Sequence, residues 1–384
     1  MATRTPPPAG GGLLDRLRGN ERRQPYTARK ITALTVNPGC ERRAVLDAAG
    51  VDKRKLALRL GQPMPFGQSP LAITRQRAFD DQLKAYGYAE LITLLRAELG
   101  VPVAEAAVAD LNTVGENSDL APRAAETRNL LRAIGEDREY RLILDHPILT
   151  LDVAGITAYL EPDAVSHRIG DQLHVVLVRS FAAVDGQADA GKVAEAAKQA
   201  AVYVLAIRQM LQASGLPTGL VSERFLLVLP KDFTNRPYGR LVDLRQQLDA
   251  VQHQLDRLAT VESRAASLSP DATLDLSHNA EGQPAASADQ LLRTVEELPH
   301  LYGPRCLDMC ELSRYCRDSA VNERDPAHLG STVRDSLPGL ENTGTALALA
   351  RGERDDVAET QEEVVALLRT AAELRVRRLG GGAA

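Results

Sequence analysis

Three of the four cysteines of this 384-residue chain fall in one stretch, "LYGPRCLDMCELSRYCRDSA" at residues 301–320, as Cys306, Cys310 and Cys316. The fourth, Cys40, stands in "NPGCERRAVLDAAG" near the other end. Thiolates gathered like this suit a tetrahedral zinc or an iron-sulfur cluster, and residue identity does not separate the two. In a reducing compartment the grouping points to a metal or cluster site rather than to disulfides. A single site using all four must bring the two ends of the fold together. A second group lies mid-chain. Asp163 follows a proline in "YLEPDAVSHRIGDQLHVVLVRSF", and across a hairpin comes a strand ending in Arg179. Downstream, "KQAAVYVLAIR" sets Gln199 and Tyr203 on one helical face, at i and i+4.

The elements that must position these residues follow from periodicity. "GCERRAVLDAAGV" and "SPLAITRQRAFDDQLKAYGYAELITLLRAELG" read as helices, the second with the apolar positions Leu71, Ile73, Phe79, Leu83 and Tyr86, the last three of them four and three apart. From "HPILTLDVAGITAYLEPDAVSHRIGDQLHVVLVRSFAAVDG" the pattern predicts three strands, at about 148–152, 157–166 and 172–179, with "RIGDQ" as the turn between the last two. An Ala-rich helix stopping at Gly215, a short strand "ERFLLVLP" and a long amphipathic helix "DLRQQLDAVQHQLDRLATVES" come next. Ser, Pro, Asp and Gly mark 265–288 as a flexible loop before the cysteine cluster. A final helix ends in "GGGAA", expected to be disordered, and no internal repeat is present.

Composition bounds the class. With 44% hydrophobic and 25% charged residues the chain is globular and long enough to bury a sizeable core. No run of 18 apolar residues spans a bilayer, and "MATRTPPPAGGGLLDRLRGNERRQP" lacks the apolar stretch of a secretory signal. A cytoplasmic protein without a membrane partner is the expectation. The formal charge of −5 conceals a basic front, since residues 1–60 carry 13 Lys and Arg against 5 Asp and Glu. A basic front end suits phosphates, although the part before Gln24 reads equally as a solvated, disordered arm.

In order and spacing, Asp163, the strand "LHVVLVRS" and the Gln199–Tyr203 pair resemble the RecB-type nuclease domain of the PD-(D/E)xK class. In that class two acids from neighbouring strand ends hold a divalent metal and a lysine orients the attacking water. Cys40 in "GCERR", with three clustered cysteines after the core, is similar to its iron-sulfur branch, which includes AddB and the CRISPR-adaptation nucleases. The resemblance spans residues 30 to 330. It implies an α/β fold, a PD-(D/E)xK nuclease-like mixed sheet with flanking helices and a four-cysteine cluster. It also implies a 4Fe-4S cluster on Cys40, Cys306, Cys310 and Cys316 that ties the helix before the core to the segment after it. Zinc is the alternative. The expected organisation is a disordered basic arm at 1–25, the nuclease fold at 26–330 and a C-terminal helical segment at 331–384.

The departures from the family pattern shape the functional expectation. Its second acid falls at Leu177, which cannot bind a metal, and its lysine at Arg179, which stays protonated with a different geometry. The early helix offers Asp80 as the best match to the family's first ligand and Asp81 as the second. Cys306 and Cys310 are separated by three residues where the family usually has two. The reading is therefore a catalytically degenerate, DNA-binding or scaffold subunit beside an active nuclease or helicase, in DNA repair or antiviral defence. One alternative is an active exonuclease using magnesium or manganese on Asp80 and Asp163, with a migrated acid at Glu195 and Lys192 or Lys198 for the missing lysine. Another is a redox-responsive iron-sulfur regulator. Arg42, Arg43, Arg75 and Arg77 are the expected DNA contacts, and His167 is expected to be solvated.

Overall fold

The computed structural model of the protein describes residues 12–63, 70–100, 106–115, 120–232, 234–303 and 305–380. The chain divides into two compact units, each discontinuous in sequence. Residues 25–35 and 66–261 form a sheet unit, while residues 1–24, 36–65 and 262–384 form a helical unit. The sequence expectation was a nuclease fold over 26–330. The cysteine-bearing segments pack on each other: Arg42 N donates to Pro299 O at 2.8 Å and Asn37 Nδ2 to Leu301 O at 2.8 Å.

The sheet unit is mixed α/β. Its strands are β1 (Ala107–Asp110), β2 (Leu142–Asp145), β3 (Leu149–Val153), β4 (Ile156–Leu160), β5 (Ala164–Val165), β6 (Val175–Val178), β7 (Arg224–Pro230) and β8 (Pro237–Asp243). Six of them form one sheet in the order β1-β2-β5-β6-β7-β8, and β3 with β4 makes a separate hairpin. The hairpin turns at Ala154 and Gly155, both at positive φ, as a two-residue loop matched to strand twist requires. β6 and β7 run parallel, joined through the helix Ala190–Ala213, while β7 and β8 are antiparallel.

The strand expected over 157–166 is two pieces, because Glu161-Pro162-Asp163 turns the chain from the hairpin into the main sheet. The short apolar or polar runs of β1, β2 and β8 were not anticipated. On one face of the sheet, Val176, Val178, Leu226 and Val228 pack with Phe79, Leu83, Leu91 and Leu95 of the helix Pro70–Leu99. Side chains alternate along β6, so Val175 and Leu177 face the other side, which the Ala190–Ala213 helix covers. The Pro70–Leu99 helix is broken at Ala85–Tyr88, where Tyr86, Gly87 and Tyr88 have positive φ. Tyr86, expected on the apolar stripe, is accordingly 95% exposed, and the side chain of Leu71 lies outside the described residues.

In the helical unit two stretches expected to be disordered or flexible carry buried leucines. Residues 13–18 of the supposed arm form a helix with Leu17 buried, and residues 1–11 lie outside the described ones. The supposedly flexible loop at 265–288 buries Leu274 and Leu276, and Leu274 N donates to Leu17 O at 2.7 Å. Polar composition marked both stretches, but a few leucines in them are enough to dock one on the other. Further on, Leu340, Ala346, Leu349 and Val365 make a small core of their own within 331–384. The expected disordered "GGGAA" ending falls outside the described residues beyond Gly380. Among the described residues no helix is long and apolar enough to cross a membrane.

Candidate functional site

Asp163 sits between β4 and β5, opposite the end of β6. Its Oδ2 accepts hydrogen bonds from Val178 N and Arg179 Nη1, each at 2.8 Å. Arg179 then carries the chain of contacts onward. Its Nη2 donates to Gln199 Oε1 at 2.6 Å, Gln199 Nε2 to Tyr203 Oη at 3.2 Å, and Tyr203 Oη to Glu161 O at 3.0 Å. The i, i+4 spacing on the Ala190–Ala213 helix brings Gln199 and Tyr203 to one face, and Tyr203 is buried, which raises its pKa. Asp163, Arg179, Glu195, Gln199 and Tyr203 all line one pocket of about 530 Å³. Leu177, at the family's acid position, is fully buried and contributes no ligand.

A second charged network contains groups that the sequence reading missed. Lys84, one helical turn after Asp80, lies 2.9 Å from Asp80 Oδ2 and meets Asp145 Oδ1 as an ion pair at 3.1 Å, without hydrogen-bond alignment. Burial opposes the Lys84 ammonium, but the hydrogen bond and charge of Asp80, with Asp145 beside it, raise its pKa. Burial raises the pKa of Asp80 against the pull of Lys84, and Asp163 is near enough to add to the rise. Lys84 is thus shared between two carboxylates. Its Nζ is also 2.6 Å from His146 Nε2, and His146 Nδ1 lies 3.3 Å from Glu161 Oε1. The Glu161 contact raises the His146 pKa, while burial and Lys84 oppose that rise. Glu161 is lowered despite its burial, because His146 and Arg123 both bond it; Arg123 Nη2 is 3.0 Å away. Asp145 was legible only as the last residue of an apolar run, "LILD", whose strand character was not recognised. Asp81 is exposed, like Arg75 and Arg77.

All four cysteines are free and buried. Cys40 caps the helix Glu41–Ala49, Cys306 opens the short helix Cys306–Met309, Cys310 follows it and Cys316 sits in Ser313–Glu323. Their surroundings are cationic. Arg42 Nη1 donates to Cys316 Sγ at 3.2 Å and Asn37 Nδ2 to Cys306 Sγ at 3.3 Å, while Arg43 bonds Met309 O. Arg43 lies within the field of Cys310, Cys40 and Cys306, and Cys316 within that of Cys310 and Cys40. Burial pushes the Cys316 thiol up to about 12 against the pull of Arg42, and raises Cys310 against Arg43 and Lys53. Lys53 is buried on Asp47 at 2.6 Å.

Arg42 and Arg43, expected to face DNA, are each only 2% exposed and are taken up by these internal contacts. His167, expected in solvent, is buried at 3% exposure, and burial lowers its pKa. The four sulfurs are buried, N–H donors are aimed at two of them, and buried cations stand nearby. Among the described residues, however, no group of three or more His, Cys, Asp or Glu side chains is arranged to hold a metal ion.

No family model matches the chain, and no curated protein matches it. Among solved structures, a "Putative exonuclease" from Eubacterium rectale is similar at 12% identity with a TM-score of 0.30, over 63% of this chain and 82% of that one.

Proposed function

We propose that this chain is a nuclease-like, DNA-binding or scaffold subunit whose metal-dependent catalytic centre has been replaced by protein cations, and that it works beside an active nuclease or helicase. The carrying observation is the position of two side chains. Arg179 neutralises Asp163 at 2.8 Å, and Lys84 stands between Asp80 and Asp145 at 2.9 and 3.1 Å. A divalent ion needs several oxygen ligands open to it. Here one ammonium, Lys84, serves both Asp80 and Asp145, and the Arg179 guanidinium serves Asp163, so an incoming cation meets a like charge beside each of the three carboxylates. The RecB-type resemblance of Asp163, Gln199 and Tyr203 supports the ancestry, and the retained pocket supports a binding role. The four cysteines with their cationic surroundings support an iron-sulfur cluster as a structural staple, with zinc as the other thiolate-bound choice.

The test uses full-length protein with end-labelled single- and double-stranded DNA. No cleavage is expected in magnesium or manganese, whereas binding is expected, weakening steeply with salt as phosphate contacts release counterions. Cleavage that Asp163→Ala abolishes would overturn the degenerate reading and move attention to Glu195, which lines the same pocket. Absence of binding to either DNA would remove nucleic acid from the function.

A further inference from the structure

The last helix, Glu362–Gly380, buries one side and carries leucines on the other. Val365 belongs to the small core with Leu340, Ala346 and Leu349, and Val364 and Leu368 pack against it. Leu367 and Leu374 lie on the outer side and are 64% and 55% exposed. At about 100° per residue, Glu363, Leu367, Leu374 and Arg378 fall within roughly 60° of one another, so one stripe runs from a carboxylate through two leucines to a guanidinium. Glu363 and Arg378 are both exposed, and among the described residues neither side chain makes a hydrogen bond or ion pair. Charge at the two ends suits the helix dipole, with Glu362 and Glu363 in the first turn and Arg377 and Arg378 in the last. The dipole gives no reason for leucines facing water between them.

We propose that this stripe pairs with the same stripe of a second copy of the chain, the two helices antiparallel about a two-fold axis between Thr370 and Ala371. The spacing selects that partner. Leu367 and Leu374 are equally far from the midpoint of 370 and 371, and so are Glu363 and Arg378. One axis therefore sets Leu367 against the partner's Leu374 and Glu363 against the partner's Arg378, each pair occurring twice, as an isologous contact requires. A parallel pair would instead place like charges together at both ends. Val376 and Leu379 are also exposed, on the opposite side of the helix, but antiparallel pairing there would bring Arg375, Arg377 and Arg378 of two copies together. One helix on one helix is a small contact, so the dimer is expected to be weak, with a Kd of about 1 to 100 µM.

Sedimentation velocity of the full-length protein without nucleic acid, from about 1 to 300 µM at low and high salt, tests the proposal. A monomer–dimer equilibrium that weakens as salt rises is expected. Leu374→Ser should weaken it by about 100-fold or more, since both copies lose a leucine. Glu363→Arg and Arg378→Glu should each weaken it by about 5- to 30-fold, and the two together should bring it back, because the exchanged charges face each other again. The doubly exchanged chain has both charges set against its helix dipole, so recovery there does not come from a steadier helix. Val376→Ser, on the far side of the same helix, should leave the equilibrium unchanged. A monomer across the whole range overturns the proposal, as does a dimer that Leu374→Ser leaves intact or that the charge exchange fails to restore. Monomer that sediments with phosphatidylserine vesicles, and loses this with Leu374→Ser, would overturn it in favour of a lipid surface.

Discussion

Lys84 is the residue on which the charged network turns. Removing an ammonium that serves two part-buried carboxylates leaves both to repel each other in a poorly hydrated site, and such unpaired buried charges are costly. Because the Lys84 side chain is 20% exposed, water recovers part of the loss. Lys84→Met is therefore expected to destabilise the protein by roughly 2 to 4 kcal/mol, read by urea denaturation. The same variant in an Asp80→Asn background should lose less, since one repelling charge has gone. Additive losses in that double-mutant cycle would mean that Lys84 and Asp80 are not coupled, and the replacement of a metal by protein cations would lose its physical basis. Arg179 differs in kind. Its planar fork joins Asp163 to Gln199, so a lysine there could hold the charge pair but not both partners in that geometry.

At the scale of elements, the link between β5 and β6 buries a histidine. His174 precedes β6, is 1% exposed, and trades hydrogen bonds with Ser166: His174 N donates to Ser166 Oγ and Ser166 N to His174 O, both at 2.9 Å. Burial lowers its pKa to about 4, so the folded state keeps the ring neutral where an unfolded chain would protonate it. A lowered histidine pKa leaves stability full above about pH 6.5 and removes it as pH falls towards 4. The expected loss is about 1.4 kcal/mol for each pH unit across that window. Denaturation at pH 7 and pH 5 measures it, and His174→Leu should flatten the dependence. An unchanged slope in the variant would mean that the ring is protonated in the fold, or that another group dominates. The buried, lowered His167 contributes in the same direction.

For the molecule as a whole, the cysteines lie on segments more than 250 residues apart in sequence, and Arg42 ties those segments by donating through Nε to Leu298 O at 3.2 Å. A shared cluster across such a separation closes a very long loop, so its loss should loosen both segments together. Anaerobically purified protein is expected to carry iron and sulfide. Cys40→Ser and Cys310→Ser are expected to lower the iron content and expose the chain after Gly303 to protease. Zinc in place of iron would change the bound group but keep the staple. Iron content and protease resistance unchanged by Cys40→Ser would exclude Cys40 as a ligand.

Much of the candidate site was local in origin and so could be read from the chain. Gln199 and Tyr203 share a face because helical spacing puts them there, Asp163 ends a turn that Pro162 begins, and Leu177 is excluded from metal binding by its side chain alone. The mixed α/β character followed from the change of hydrophobic period, as did the strands at about 148–152 and 157–166, whose pairing as the hairpin of β3 and β4 came only from the structure. Other features were decided by long-range packing. Asp145 joins Asp80 through Lys84 only because β2 lies beside the Pro70–Leu99 helix, and the basic residues after Cys40 turn inward because the 298–316 segment packs over them. The same holds for the docking of Leu274 on Leu17 and for the division of the chain into two discontinuous units. Sequence spacing determines which side chains share a face of one element; which charges end up facing each other depends on which elements meet, and that was set by burial across the whole chain.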